Sequence, residues 1–459
     1  MSAVKLIISD LHLADGHSVL DGWGKLQQSA LEGLLNAACS SGPLGQADEV
    51  ELIINGDCFD FLSTPPYDTG GVSDAPTAVA KLEKIIATHG PFFEALRHFI
   101  ETPGRSVTFT VGNHDIELCF AEVRARTGQV IGVPYDATPT DVAGKEERPK
   151  VYFCPTRFYR PLSDVYIEHG NHYDFWNHSM QRLWDERGQP VTLQPETITL
   201  PAGSHYFQHA AHPISIAYPY FDQFEPSINS TRQIALLSLL NPDAVVETVR
   251  LTMELLSTPR KALAGLEPGE ERIPAKLFTA AMLDFAAFHE DVQKRKPDWA
   301  DLHGAYDTQE QADIMTEFAM LRDALALPPI EAVAAICTPT IYRMGESVAK
   351  GMHNVLKNDS TLRYAIAAHT HMIRIDPVHE GAQTYLNTAS WTSRFALPAP
   401  GTITPALVEW LRHPDWNAIP LRDVTQLTFA IVNVTPGGPS SASLCVWEGG
   451  AKGSYRVLA

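Results

Sequence analysis

Five short polar segments, each placed directly after an apolar run, constrain the fold of this chain more than any other feature. They are Asp10-Leu11-His12, Gly56-Asp57-Cys58-Phe59-Asp60, Gly112-Asn113-His114-Asp115, His169-Gly170-Asn171-His172 and His369-Thr370-His371. The apolar runs that precede them have the length of buried β-strands. In an α/β sheet, binding sites form in the loops beyond the carboxyl ends of strands, so these polar residues stand where a site is expected.

Strand and helix patterns alternate through the first third of the chain, which is typical of βαβ units and predicts an α/β core. The strand patterns cover 4–9, 50–55 and 107–111, and the helical patterns cover 23–39, 77–88 and 92–101. The polar, Pro-bearing stretch over 136–150 predicts a loop.

The pattern changes between residues 174 and 360, where helical spacing dominates and strand patterns are rare. Helices are predicted over 243–256, 275–293, 309–325 and 333–356. Strand patterns return from residue 364, and the Pro- and Trp-rich stretch 397–420 predicts an ordered loop. We therefore divide the chain into a first core half (1–173), a helical insertion or lid (174–360) and a second core half (361–459).

The residue types in the five segments suit a metal site. Residues at positions i and i+2 of an extended segment point to the same side, so Asp10 with His12, and His369 with His371, can each present two ligands together. Carboxylate oxygen combined with imidazole nitrogen suits Mn, Fe, Zn or Co. The five segments offer more ligands than one ion needs, so we predict two divalent ions sharing a bridging carboxylate.

The order of the motifs resembles that of the calcineurin-like metallophosphoesterase superfamily. The family pattern is D-x-H, G-D-x-x-D, G-N-H-D/E, a His followed by Gly, and G-H-x-H, and this chain matches it in residues 3–173 and 361–459. The resemblance implies a four-layer α/β/β/α sandwich, interrupted here by the helical insertion. The second motif, GDCFDF, looks like that of bacterial enzymes related to UDP-2,3-diacylglucosamine pyrophosphohydrolase.

The resemblance also implies roles for the motif residues. The expected ligands of the first ion are Asp10, His12 and His371, Asp57 bridges both ions, and Asn113, His169 and His369 complete the second. The catalytic pair is His114, a general acid that does not bind metal, and Asp60, which orients it. A hydroxide bridging the ions is the expected nucleophile, and the expected substrate contacts are Asn113, His114 and His172.

Two positions depart from the pattern. Ala368 replaces the usual Gly before the last motif, and because Ala adds only a methyl group we expect an intact ligand pair. His172 closely follows His169 and competes with it for the ligand role, but the His-Gly order favours His169. We interpret His172 as a residue behind the ligands, a substrate contact or a plain loop histidine.

The charge limits the class of partner. With 54 acidic and 35 basic residues, the net charge is −19 with His neutral. This argues against binding to long nucleic acids or, by charge alone, to anionic lipid. Six scattered cysteines without a C-x-x-C pair indicate reduced thiols, and no leader or membrane-spanning run is recognisable. A cytoplasmic protein of unspecified oligomeric state is expected.

Within the insertion, the stretch 204–226 is dense in aromatic residues and His. Two interpretations stay open: an aromatic wall over the metal site that selects the leaving group, or a packing seam between the insertion and the core.

The resulting hypothesis is a metal-dependent phosphoric ester hydrolase, with manganese among the candidate metals, that cleaves a small phosphoester by in-line attack with His114 as general acid. A pyrophosphohydrolase acting on a nucleotide-linked or lipid substrate, and a phosphodiesterase or nuclease, are alternatives. A metal-binding scaffold without activity is the non-enzymatic alternative.

Overall fold

The structure of the protein is a computed structural model that describes residues 2–16, 22–40, 42–133, 149–255, 274–295, 308–338, 346–434 and 437–458. Most of the loop predicted over 136–150 lies outside these residues. The described chain divides into two compact units. Unit 1 consists of Met1–Ser204, Gly345–Ser393 and Thr425–Ala459, and unit 2 of His205–Met344 and Arg394–Val424. The insertion boundaries at 174 and 360 stay a prediction.

The strands are numbered in chain order. They are β1 (Ala3–Ile8), β2 (Glu49–Asn55), β3 (Val72–Asp74), β4 (Arg105–Thr110), β5 (Val151–Phe153), β6 (Tyr159–Leu162), β7 (Val165–Ile167), β8 (Thr197–Thr199), β9 (Phe224–Glu225), β10 (Tyr364–Ala367), β11 (Ile373–Val378), β12 (Gln383–Thr388), β13 (Phe395–Ala396), β14 (Leu427–Val434), β15 (Ser441–Glu448) and β16 (Ser454–Val457). Strands β8 and β9 lie in the stretch where sequence patterns predict almost none.

The α-helices are described by their residue ranges. They are Lys25–Cys39, Ala75–Thr88, Gly90–Glu101, Ala121–Ile131, Ala202–Tyr206, His212–Ala217, Tyr220–Gln223, Ser230–Leu240, Pro242–Glu254, Pro274–Arg295, Thr308–Ala324, Pro329–Ile336, Glu346–Asn358 and Pro405–Arg412. The helix predicted over 333–356 is therefore two helices, and residues 339–345 between them lie outside the described part. The loop predicted over 397–420 contains the helix Pro405–Arg412.

Unit 1 contains two mixed sheets. The seven-stranded sheet has the order β16-β15-β14-β1-β2-β4-β5, and the five-stranded sheet the order β11-β12-β10-β7-β6. Strands β1, β2 and β4 are parallel, and their ends are level to within one residue, because Ile8 pairs with Ile54 and Asn55 pairs with Thr110. Strands β7 and β10 are also parallel. The segments that follow β1, β2 and β4 therefore all begin at the same end of the sheet, where the carboxyl ends of these strands lie.

The two sheets of unit 1 share a hydrophobic core. One cluster of buried side chains contains Ile7 and Ile53 from the larger sheet together with Ile366 and Leu386 from the smaller one. The residues next to these on β10 and β12 point the other way, as strand alternation requires. Ala365 and Tyr385, for example, pack with side chains of the helix Glu346–Asn358. Unit 1 is thus a mixed α/β structure, in agreement with the predicted α/β class.

Unit 2 is mainly helical, with its own hydrophobic core. The core contains Tyr218, Tyr220, Phe221 and Phe224 from the aromatic-rich stretch, and Trp410 from the helix Pro405–Arg412. The Tyr220 hydroxyl donates a hydrogen bond to the Leu411 carbonyl. These four aromatic side chains are 4% exposed or less, so they fill the interior of unit 2 rather than line a cleft. In the described parts of both units, no helix has the length and apolar character needed to cross a membrane.

One buried carboxylate of unit 2 has no described hydrogen-bond partner. Asp284, on the helix Pro274–Arg295, is 1% exposed, and neither of its carboxylate oxygens accepts a hydrogen bond from a described residue. Burial raises the pKa of Asp284 to about 6. Because this folded-state pKa lies above the ordinary value, the folded protein loses stability as the pH rises from about 4 to about 6 and does not regain it at higher pH.

Replacing Asp284 with leucine is expected to stabilise the protein at pH 8 by about 1–3 kcal/mol, since it removes an unpartnered polar group from an apolar interior. At pH 4.5 the wild-type carboxyl is already neutral, so the gain is smaller. Thermal unfolding of both proteins at the two pH values measures the difference. Asp323→Leu, at a side chain that is 73% exposed, is the matched control and changes stability by less than about 0.5 kcal/mol. An equal gain at both pH values would contradict the prediction.

Candidate metal centre

The backbone after the strand ends adopts a conformation with positive φ that residues other than glycine rarely take. Among the described residues, eight non-glycine positions have a positive φ, and five of them belong to the D-x-H, G-D and H-x-H segments. These five are Asp10, His12, Asp57, His369 and His371. Such left-handed residues cost of order 1–3 kcal/mol each and cluster at functional sites. The strain marks these segments as a site independently of the residue types.

Backbone hydrogen bonds hold the first two strained segments together. The Leu11 and His12 amides donate to the Asp57 carbonyl at 2.9 and 3.0 Å, and the Asp10 amide donates to the Gly56 carbonyl at 3.2 Å. Because β1 and β2 are neighbours, the loops after them continue the pairing for a few residues. The pairing places Asp10, His12 and Asp57 next to one another.

Asp10, His12 and His371 form one group of side chains whose donor atoms lie within 4.8 Å of one another. The Asp10 Oδ1 and His371 Nε2 atoms are 3.1 Å apart, and so are the Nε2 atoms of His12 and His371. Asp10 is fully buried. Burial alone would raise the pKa of Asp10, but the nearby His371 and His169 together outweigh it and lower that pKa. This group could hold a metal ion.

Asp57, His169 and His369 form a second such group. The Asp57 Oδ2 atom is 3.0 Å from His169 Nε2 and 3.9 Å from the Nε2 of His12, which belongs to the first group. Burial opposes charge on His169, but the Asp57 carboxylate raises the pKa of His169 to about 10. Asp57 therefore lies between the two groups, as a shared ligand would.

Glycine is required beside Asp57 and His169. A Cβ atom on Gly112 would lie 2.1 Å from Asp57 Oδ1, and a Cβ atom on Gly56 would lie 2.5 Å from His169 Nδ1. Both approaches are too close for any side chain. The glycines of the second and third motifs therefore leave room for the two side chains that connect the groups.

Three buried side-chain atoms at this site that could bind a metal ion have no hydrogen-bond partner among the described residues. They are Asp10 Oδ1, Asn113 Oδ1 and His169 Nε2. Asp10 Oδ1 and His169 Nε2 are close to a neighbouring donor or acceptor but lack hydrogen-bond geometry. A buried polar atom without a partner is costly, and most such atoms in proteins have one. The donor set of carboxylate and amide oxygens with imidazole nitrogens fits divalent transition ions, which would satisfy these atoms.

His114 and Asp60 are hydrogen-bonded beside the two groups. His114 Nδ1 is 3.0 Å from Asp60 Oδ1, and the Ser63 amide and hydroxyl donate to the same carboxylate at 2.9 Å each. Burial alone would lower the pKa of His114, but Asp60 and Asp57 raise it to about 9. The potential ligand atoms of His12, Asp60 and His114 also lie within 4.8 Å of one another, so these three residues form a third group that could hold a metal ion. The structure thus brings the predicted catalytic pair to the site and leaves a ligand role for His114 geometrically possible.

His172 lies outside all three groups. Its Nε2 is 3.2 Å from Arg157 Nη1, and its ring is 4.4 Å from the ring of His178. His169 rather than His172 is placed with Asp57. The predicted substrate contact through His172 stays a prediction.

Ala368 is fully buried and fits its position. Its amide donates to the His169 carbonyl at 2.9 Å, and its carbonyl accepts a hydrogen bond from Asn387 Nδ2 at 2.8 Å. The H-x-H segment after it contributes His369 and His371 to separate groups.

Sequence reasoning gave no role to three polar residues that organise the site. Asp115 accepts hydrogen bonds from the amides of Cys58 and Gly112 at 2.8 and 2.7 Å, which ties the second motif to the third. Asp174 and Asn177 follow the fourth motif and contact His369 and Asn113 respectively. Asp115 could have been singled out because it is the last residue of the third motif. Asp174 and Asn177 belong to no motif that a single sequence reveals.

Comparisons with known proteins add little to this geometry. No family model matches the chain, and no curated protein matches it. Among solved structures, the phosphopantetheinyl hydrolase PptH from Mycobacterium tuberculosis aligns with 92% of this chain and 96% of its own, at 12% identity and a TM-score of 0.21. We draw nothing about fold or function from a TM-score this low, so the site must be interpreted from its own residues.

Proposed function

We propose that this protein is a phosphoester hydrolase that depends on two divalent metal ions. The observation that carries the proposal is that Asp57 lies between two metal-capable groups, beside buried donor atoms of Asp10, Asn113 and His169 that have no hydrogen-bond partner among the described residues. One ion would be held by Asp10, His12, His371 and Asp57, and the other by Asp57, Asn113, His169 and His369. The motif resemblance further suggests that unit 1 is a four-layer α/β/β/α sandwich.

Ions bound there would act as Lewis acids on a phosphoryl oxygen and would lower the pKa of water. The protein's own contribution to bond cleavage is assigned to His114. Because the Asp60 carboxylate can only accept, the proton between them sits on His114 Nδ1. His114 Nε2 is then the atom that would transfer a proton to the leaving oxygen. Ser63 holds the Asp60 carboxylate in place through two hydrogen bonds.

The site excludes water from most of its polar groups. Asp10, Asp57, Asn113 and His169 are each 2% exposed or less, whereas the His114 side chain is 23% exposed. A buried, low-dielectric site strengthens the electrostatic interactions that stabilise charge on a reacting phosphate. The net charge of −19 favours small phosphoesters over long polyanions, because attraction for phosphate is confined to the immediate surroundings of the ions.

Metal analysis combined with a substrate screen tests this proposal. The purified protein is expected to contain two equivalents of Mn, Fe or Zn, and to hydrolyse p-nitrophenyl phosphate or bis-p-nitrophenyl phosphate. Chelation should abolish turnover, and the same metal should restore it. A nucleoside-diphosphate-linked pyrophosphate and single-stranded DNA in the same screen identify the alternative substrate classes, and activity on DNA that persists at about 200 mM salt would indicate a nuclease. A protein that binds metal but turns over none of these substrates would be a scaffold and would contradict the proposal.

A further inference from the structure

A short segment that overlaps the end of the fourth motif contacts two of the residues assigned to the second ion. It begins with the 3₁₀ turn Asn171–Tyr173 and includes Asp174 and Asn177. Asp174 Oδ2 is 3.0 Å from His369 Nε2, and Asn177 Oδ1 is 3.3 Å from Asn113 Nδ2. All of these residues belong to unit 1. One segment therefore contacts both side chains, at Nε2 of His369 and at Nδ2 of Asn113.

The contact with Asp174 determines the tautomer of His369. An ionised carboxylate can only accept hydrogen bonds, so the proton in this contact is on His369 Nε2. In a neutral imidazole the other nitrogen then carries the lone pair. Nδ1 is therefore the atom that His369 presents to an ion. Carboxylates that hold metal-binding histidines in this way commonly tune both tautomer and ring orientation.

The same carboxylate determines the orientation of Asn177. Asp174 Oδ2 also accepts a hydrogen bond from Asn177 Nδ2 at 2.8 Å, and Asp174 Oδ1 accepts one from the Trp176 amide at 2.9 Å. Since the acceptor is a carboxylate, the atom of Asn177 that faces it must be the NH₂ group. The Asn177 carbonyl oxygen is then turned toward Asn113.

Asn177 in turn determines which atom of Asn113 faces the metal centre. A carbonyl oxygen requires a donor, so the Asn113 NH₂ group points to Asn177. The Asn113 Oδ1 atom is left buried without a hydrogen-bond partner among the described residues. Oxygen is the amide atom that binds metal ions, whereas the NH₂ group has no lone pair to offer. Each assignment follows from the previous one, starting from Asp174.

We propose that Asp174 and Asn177 are positioning residues that select the ligand atoms of the second metal ion, Nδ1 of His369 and Oδ1 of Asn113. This inference rests on the metal centre of the proposed function. It assigns a role to residues outside the five motifs, and it defines the pattern H-x₄-D-x₂-N over His169, Asp174 and Asn177.

A double-mutant cycle between Asn113 and Asn177 tests the inference without relying on activity. Mn²⁺ alone is titrated into the metal-free full-length protein, and electron paramagnetic resonance gives the affinity of each site. Asn177→Leu is expected to weaken one of the two sites by about 10–100-fold, the usual cost of removing a residue that supports a ligand. In an Asn113→Asp background both side-chain atoms at position 113 are oxygens. The orientation no longer matters there, so Asn177→Leu should cost almost nothing.

Asn417→Leu is the matched control, because it removes an asparagine-to-aspartate hydrogen bond of the same kind in unit 2 and should leave both affinities unchanged. If Asn177→Leu does not fold, Asn177→Ser, whose side chain is too short to reach Asn113, replaces it in the cycle. An equal loss in both backgrounds would overturn the inference and leave the proposed function standing. Wild-type protein that takes up no Mn²⁺ would overturn both.

Discussion

Asp57→Asn is expected to lose metal and activity together. Asp57 Oδ2 lies 3.0 Å from His169 Nε2 and 3.9 Å from His12 Nε2, so one carboxylate lies close to both metal-capable groups. Asparagine keeps the shape but removes the charge and one of the two oxygens. Mutation of a residue that merely supports a ligand typically lowers metal affinity or activity by about 10–100-fold. We therefore expect removal of the shared ligand itself to lower both by more than about 100-fold. Metal content after gel filtration and kcat/KM on an aryl phosphate measure it.

Asp185→Asn is the control for Asp57→Asn. Asp185 accepts hydrogen bonds from the Arg187 and Gln189 amides, which an asparagine oxygen can also accept. This variant should retain both ions and full activity. Thermal unfolding of Asp57→Asn shows whether the fold persists. If folded Asp57→Asn kept two ions and wild-type turnover, the assignment of Asp57 as the shared ligand would be wrong.

His114→Gln is expected to keep both ions and lose turnover. The His114 side chain is hydrogen-bonded to Asp60, and removing a general acid typically costs about 10²–10⁴-fold in rate. The loss should be greatest for alkyl phosphates, whose leaving oxygens need a proton, and smallest for p-nitrophenyl phosphate, whose leaving group departs as an anion. The measurement is kcat for a series of phosphoesters with leaving groups of increasing pKa, together with metal analysis of each preparation.

The metal content of His114→Gln also decides between two roles. The structure places His114 with His12 and Asp60 in a group that could hold an ion. If His114 were a ligand, its replacement would remove metal and depress the rates of all substrates alike. Unchanged metal content with full activity on alkyl phosphates would instead exclude the general-acid role.

The strands that carry the motifs were predictable because their apolar runs end where the polar segments begin. β1, β2 and β4 start and end within two residues of the predicted bounds. The helix Pro405–Arg412 was missed although its start has a recognisable signal. Thr404 caps the helix by accepting a hydrogen bond from the Leu407 amide, and Pro405 occupies the first helical position. Aromatic and Pro-rich composition concealed that signal.

Some residues of the site could be identified from the sequence, and others could not. The motif residues were identifiable because each follows a strand, and the structure brings Asp10, His12 and His371 into one group and Asp57, His169 and His369 into another. Their individual roles stay predictions. Asp174 was not identifiable, since its contact with His369 spans 195 positions and depends on the packing of the smaller sheet. The orientation of Asn177 depends on its hydrogen bond to Asp174, so its role could not be identified from the sequence either.

The distance along the chain between the grouped residues has a consequence during protein synthesis. His12 and His371 are neighbours in space but 359 positions apart in sequence. At about 5–20 residues per second, a ribosome needs roughly 20–70 s to add the second histidine after the first. Until then the group of Asp10, His12 and His371 lacks one of its three members. This group can therefore assemble only late in synthesis, after most of the chain has been made.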